Sequence, residues 1–302
     1  MSYYKFIDLF AGIGGIRLGF EQAFKKNSET VFVSEWDEYT QKTYKANFES
    51  PKEIAGDITK INEKEIPTFD ICLAGFPCQA FSMAGQRKGF DDNYKGTCRG
   101  TLFLDVARIC EEHKPKVIFC ENVKGLTIHD KGRTFKIIKS TFENLGYNVF
   151  SQILNSRDFG VPQNRERIYI VCFRKDLEIE EFNFPKSTDS TKKIRDILEE
   201  NPVSAKYYLS TTYIETLKRH KARLQGFPDS YKLVLADTHL YKQFGNSVSV
   251  PVIAAIAEEI KKNLQNRRKS KWNLKATKAN GAKFTYSSNF LAMGKCMLPI
   301  RT

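Results

Sequence analysis

Long hydrophobic runs are missing from this 302-residue chain: no apolar stretch reaches membrane-spanning length, and Met1 to Lys5 leads straight into a strand-like segment without an apolar leader. A membrane partner is therefore not expected, and the location expected is cytoplasmic. The seven cysteines (Cys72, Cys78, Cys98, Cys110, Cys120, Cys172 and Cys296) are odd in number and include no Cys-x-x-Cys pair. That disfavours a disulfide framework and a zinc site, so no metal is expected. Acidic residues are outnumbered, 35 Asp and Glu against 48 Lys and Arg, leaving a net charge of +13 that suits a polyanionic partner. Much of the excess falls in one tail, from Lys261 to Lys283. Also missing is a pyrophosphate fingerprint. Gly12-x-Gly14-Gly15 is followed by Ile16-Arg17 rather than by the rest of a GxGxxG, and no Walker lysine follows.

What is present centres on Phe69 to Ser82, FDICLAGFPCQAFS. Ile71 to Ala74 reads as a short buried strand, which Gly75-Phe76-Pro77 must break because proline fixes its φ and constrains the residue before it. Cys78 is thereby delivered to a stiff turn beyond a strand's carboxyl end, where open α/β sheets bind ligands. Residues Ala80 to Gly100 have no period and read as a loop over that thiol. Ahead of this stretch, Lys5 to Phe10 is a strand, Gly12 to Gly15 a turn, and Ile16 to Lys26 an amphipathic helix. Val31 to Ser34 is a second strand ending in Glu35-Trp36-Asp37. Glu35 lies twenty residues after Gly15, the offset at which such folds place an acid on ribose hydroxyls, and Trp36 offers a face for a purine. A nucleoside cofactor without phosphates is the expectation, and S-adenosylmethionine fits it. Asp57-Ile58 is expected near the adenine.

Further along, Gly100 to Glu112 reads as a helix, Pro115 to Cys120 as a strand ending at Glu121, Arg133 to Leu145 as a helix, and Val149 to Leu154 as a strand. Gln163-Asn164-Arg165-Glu166-Arg167 leads into a strand from Ile168 to Phe173, so Arg165 and Arg167 share a face. They serve either as structural ion-pairing groups or as a clamp on a carbonyl and a phosphate.

In order, DLFAGIGG, SEWD, GDIT, GFPCQAFS, GTLFLDVARI, ENVKG, QNRERIYIV, ARLQGFPD and QFGNSV resemble the motifs of the cytosine-C5 DNA methyltransferases, particularly those of bacterial restriction–modification systems. The matches span most of residues 5 to 250. The resemblance implies a Rossmann-like α/β methyltransferase sheet, S-adenosyl-L-methionine as cofactor and double-stranded DNA as partner. It makes Cys78 the nucleophile at cytosine C6, Glu121 the proton donor at N3, Arg165 the donor to O2, and Arg167 its support. The base must leave the stack for this chemistry. For the cofactor it points to Phe10, Gly12, Gly14, Glu35, Trp36, Asp57, Ile58, Pro77, Leu102, Asn246 and Val248.

The chain departs from the family between QNRERIYIV and ARLQGFPD, where only Arg174 to Ala222 stand in place of a glycine- and aromatic-rich recognition region. Phe182 to Asp189 reads as a connector, and Lys192 to Glu200 and Thr211 to Arg223 as charged helices. The expected organisation is 1–173 catalytic and cofactor-binding, 174–223 a truncated recognition region, 224–265 a segment returning to the first domain with a helix from Pro251 to Gln265, and 266–302 a partly disordered basic tail. Sequence recognition is expected to be impaired. Two alternatives stay open: a transfer-RNA cytosine methyltransferase, and a cofactor-binding remnant that needs a complementing recognition subunit.

Overall fold

A computed structural model describes residues 3–51, 53–77, 93–94, 97–98, 102–188, 191–197 and 219–279. Cys78 and most of the Ala80 to Gly100 loop lie outside them, as do residues 198–218 and the chain beyond residue 279. Contacts divide the chain into Met1–Asn263 and Leu264–Thr302. The first unit holds a mixed six-stranded sheet. Its strands are β1 (Tyr4–Leu9), β2 (Ser28–Ser34), β3 (Ile71–Ala74), β4 (Val117–Val123), β5 (Tyr147–Asn155) and β6 (Glu166–Arg174), in the spatial order β2-β1-β3-β4-β6-β5. The first four are mutually parallel, and β6 inserts antiparallel between β4 and β5. Ala55 adds an isolated parallel bridge to Ser34 at the β2 edge.

Alternation along the central strands divides the core into two faces. Ile7, Leu9, Cys72, Ala74, Ile118, Cys120, Ile170 and Cys172 face α3 (Leu102–His113) and α4 (Arg133–Asn144), with Val106, Ile109, Cys110 and Phe142 packed on them. Cys72, Cys110, Cys120 and Cys172 are free thiols buried in this layer. On the other face, Phe6 and Phe119 meet Phe20 and Phe24 of α1 (Gly15–Phe24) edge to face, at centroid separations of 5.1 to 5.8 Å. Asp8, Glu121, Arg167 and Tyr169 belong to that second face by register.

Two helices were not anticipated by periodicity. One is α2 (Glu38–Asn47), polar along most of its length, and the other is α5 (Asp237–Asn246). The last helix, α6, runs from Val250 to Ala279, fourteen residues past the expected end at Gln265, because neither glycine nor proline interrupts residues 252–279. Residues 266–279 of the tail are thus helical. Strand β4 also continues three residues past Cys120, since Glu121, Asn122 and Val123 pair with Tyr169, Ile168 and Arg167 of β6. Between Arg174 and residue 219 the described residues hold only 3₁₀ turns and extended chain. The connector is docked there: Phe182 is buried against Phe173 at 5.5 Å.

Candidate active site

The parallel strands end together, and their carboxyl ends line one cavity of about 390 Å³. Its first wall is the turn after β1. Phe10 and Gly12 have positive φ, +54° and +55°, and Gly14 closes the turn at +80° with its N–H donating to the Ala11 carbonyl at 2.8 Å. The Glu35 carboxylate braces this turn, accepting from Gly12 N–H at 2.8 Å and Asp37 N–H at 2.9 Å. Burial pushes the Glu35 pKa upward against those two bonds. Trp36 beside it is half exposed, 52%, so its ring face is open. Asp57 uses one carboxylate oxygen to cap a 3₁₀ turn, accepting from Thr59 N–H at 3.0 Å and the Thr59 hydroxyl at 2.8 Å. Arg108 of α3 pins the same segment by donating to the Ile58 carbonyl at 2.7 Å.

Of the expected cofactor residues, Phe10, Gly12, Glu35, Trp36, Asp57, Ile58, Pro77, Leu102, Asn246 and Val248 line the cavity. Gly14 is not among the lining residues. Its missing Cβ makes room for Tyr44 and Phe48, whose rings would collide with any side chain there.

The other end of the cavity is formed by Glu121, Val123, Arg165 and Arg167. Glu121 and Arg167 are diagonal neighbours on the β4–β6 pair, and Arg167 Nε lies 3.2 Å from Glu121 Oε1. That oxygen still accepts no well-aligned hydrogen bond from the described residues. Burial raises the Glu121 pKa, opposed by the charges of Arg167 and then Arg165. Arg165 is held elsewhere: its guanidinium donates to the Gly245 carbonyl at 3.2 Å and to the Ser247 carbonyl, and its N–H donates to Asn155 Oδ1 at 3.1 Å. Asn122, buried beside Glu121, donates to the Phe76 carbonyl at 3.3 Å and so ties β4 to the segment that follows β3.

Of the third wall, made by α5 and its neighbours, sequence reasoning gave only Asn246 and Val248. His239, Lys242 and Gln243 line the cavity, with Thr40 of α2. Helix α2 is fastened to this segment along its length. Tyr39 stacks on His239 at 4.1 Å, Lys242 pairs with Asp37 at 3.5 Å, Thr43 bonds Gln243, and Asn47 exchanges two hydrogen bonds with the Lys232 backbone. The signal in the sequence was the cap: Asp37 accepts from Thr40 N–H at 2.9 Å, an N-cap preceding Glu38.

A family model described as C-5 cytosine-specific DNA methylase matches residues 4–222 and 217–262. The chain belongs to that family. By class it is a DNA (cytosine-5)-methyltransferase, and its relatives are bacterial type II methyltransferases. It is 45% identical to the type II methyltransferase M.SsoII of Shigella sonnei, over 85% of this chain and 80% of that one. It is 43% identical to M.HpaII of Haemophilus parainfluenzae (87% and 90%), and 38% identical to M.HhaI of Haemophilus parahaemolyticus (86% and 95%). The M.SsoII match runs over 311 positions yet takes in 85% of a 302-residue chain, about 257 residues, so about 54 positions are gaps in this methylase. Among solved structures, S. pombe Dnmt2 shares the fold with a TM-score of 0.65 at 18% identity, covering 87% of this chain and 99% of that one. An Entamoeba histolytica methyltransferase gives 0.68 at 20%, with the same coverage.

Proposed function

We propose that this methylase transfers a methyl group to C5 of cytosine in double-stranded DNA, with Cys78 as nucleophile and S-adenosylmethionine as donor. One observation carries the reading: the Glu35–Trp36 wall and the Glu121–Arg167 pair line the same cavity. A nucleoside at one end and a pyrimidine edge at the other would meet without an intervening barrier. The residues present fit the cofactor. Glu35 offers a carboxylate at ribose height, Trp36 and Ile58 offer apolar faces, and the positive-φ turn of Phe10 to Gly12 lets a ligand approach the backbone. When bound, the cofactor supplies the electrophilic methyl group.

The chain's own groups do the rest. Cytosine C5 is a weak nucleophile until a thiolate adds at C6, and Cys78 is assigned that addition. Charge then builds at N3, where Glu121 donates a proton. Its burial supports this, because a carboxyl raised above its ordinary range keeps a proton to give. Arg165, which lines the cavity while its guanidinium also donates to the Gly245 and Ser247 carbonyls, is assigned the donation to O2, and Arg167 beside Glu121 supports it. Water finally takes the C5 proton, the C6–S bond breaks to release the Cys78 thiolate, and the N3 proton returns to Glu121. The buried thiols of Cys72, Cys110, Cys120 and Cys172 are raised by burial and stay neutral, so none competes with Cys78 as nucleophile.

Recognition is proposed to be weak. The alignment gaps in this chain and the strand-free described residues between Arg174 and residue 219 both support a recognition region too small to read a major groove by base-edge contacts. The mechanism is tested by mass spectrometry after incubation with cofactor and 5-fluorocytosine duplex. A covalent complex is expected from the wild type and none from Cys78→Ser; trapping by the serine variant would remove Cys78 from its assigned role.

A further inference from the structure

Gln243 lies in α5, two residues before the Gly245–Asn246–Ser247–Val248 turn. It lines the cavity while only 6% exposed. Across the buried seam with α2, the Thr43 hydroxyl donates to Gln243 Oε1 at 3.0 Å. The carbonyl end of the amide is thus held, and its Nε2 donors point away from Thr43. Among the described residues Nε2 finds no acceptor. A buried donor without an acceptor is uncommon in a folded protein, and beside a cavity it marks where a ligand's acceptor atom belongs.

The surroundings decide what kind of acceptor. Glu35 takes the hydroxyl-donating part of a nucleoside, so the acceptor sought by Gln243 lies elsewhere on the ligand. The 245–248 turn packs against the start of α1: a Cβ placed on Gly15 would come within 2.8 Å of Val248 and 2.9 Å of Ser247 Oγ. Tyr44, next to Thr43, packs on Gly14. Gln243 is therefore tied from both sides to the amino end of a ten-residue helix, where unpaired N–H groups favour negative charge. An amide donor beside that end suits a carboxylate.

Resting on the S-adenosylmethionine reading, we infer that Gln243 is a cofactor-binding residue whose Nε2 donates to the carboxylate of the methionine moiety. Thr43 is its positioning residue, fixing which end of the amide faces the ligand. Calorimetry on the full chain tests this with two ligands. S-adenosylhomocysteine carries the carboxylate and 5′-methylthioadenosine does not. Gln243→Met is expected to weaken S-adenosylhomocysteine about tenfold or more, as loss of a hydrogen bond to a charged group does, and to leave methylthioadenosine within about twofold. Thr43→Val is expected to give a smaller loss of the same selective kind. Equal weakening of both ligands would reveal a merely structural glutamine and overturn the inference, as would unchanged S-adenosylhomocysteine affinity. A wild-type chain binding neither ligand would instead take away the cofactor reading itself, and this inference with it, before any variant was compared.

Discussion

On the proposed mechanism Glu121 must hold a proton while sitting 3.2 Å from an arginine, two demands that pull in opposite directions. Burial wins, and the carboxyl is raised. Glu121→Gln keeps the shape but removes the transferable proton, so methyl transfer is expected to fall by about 10² or more while cofactor affinity measured by calorimetry is retained. In the wild type the rate should decline as pH rises through the raised Glu121 pKa, since the protonated form is the active one, and a pH–rate profile of Glu121→Gln should lack that alkaline limb. Asp8 makes a separate prediction about stability. Fully buried in β1, it accepts from the Tyr44 hydroxyl at 3.1 Å, yet burial outweighs this bond and nearby Arg17, and its pKa is pushed up to about 8. A carboxyl raised on folding binds its proton more tightly in the native state. Its contribution is therefore complete below pH 4 and lost as pH climbs through about 8, by up to about 1.4 kcal/mol per pH unit. Asp8→Asn should flatten that decline in urea denaturation at pH 5, 7 and 9; an equally steep decline in the variant would show that Asp8 is not its source.

At the level of elements, the turn between β1 and α1 is the most constrained piece of backbone in the site. Gly14 stands at φ +80° with Tyr44 and Phe48 against the space a side chain would take. Gly14→Ala is expected to lose more than about 1 kcal/mol in chemical denaturation, from backbone strain and collision together, and to weaken cofactor binding through the displaced turn. Strands β1, β3, β4 and β6 were legible because their runs are apolar and bounded by glycine, proline or charge. Helix α2 was not: its face toward the core carries Thr40, Thr43 and Tyr44, which give no apolar stripe, and it is held by hydrogen bonds to residues two hundred positions away. Propensity within a window cannot see such partners. The start of α2 was marked only by its Asp37 cap.

Taken as a whole, the proposed loss of recognition residues beside a net charge of +13 would separate affinity from selectivity. Binding to duplex DNA should be dominated by phosphate contacts, so affinity is expected to fall steeply and linearly in log–log terms between 50 and 200 mM salt, with little difference between unrelated duplexes. Fluorescence anisotropy checks the slope. Tritiated-methyl incorporation on mixed-sequence DNA checks the selectivity, and strong labelling confined to one short sequence would show that the remaining residues still recognise a site.

The sequence alone determined the class of chemistry through the ordered motifs from DLFAGIGG to QFGNSV, whose resemblance to one methyltransferase family carried it; the strand break at Gly-Phe-Pro-Cys and the acid after the second strand are local features that agree with it. Of the eleven cofactor residues that the resemblance implied, ten line one cavity. Only the tertiary structure decided which arginine stands 3.2 Å from Glu121, why Gly14 must be glycine, and that Gln243 is buried at the cavity with its carbonyl oxygen held by Thr43. Each of these depends on a neighbour brought in by the sheet register or by the return of α5, and distance along a chain carries no record of such an approach.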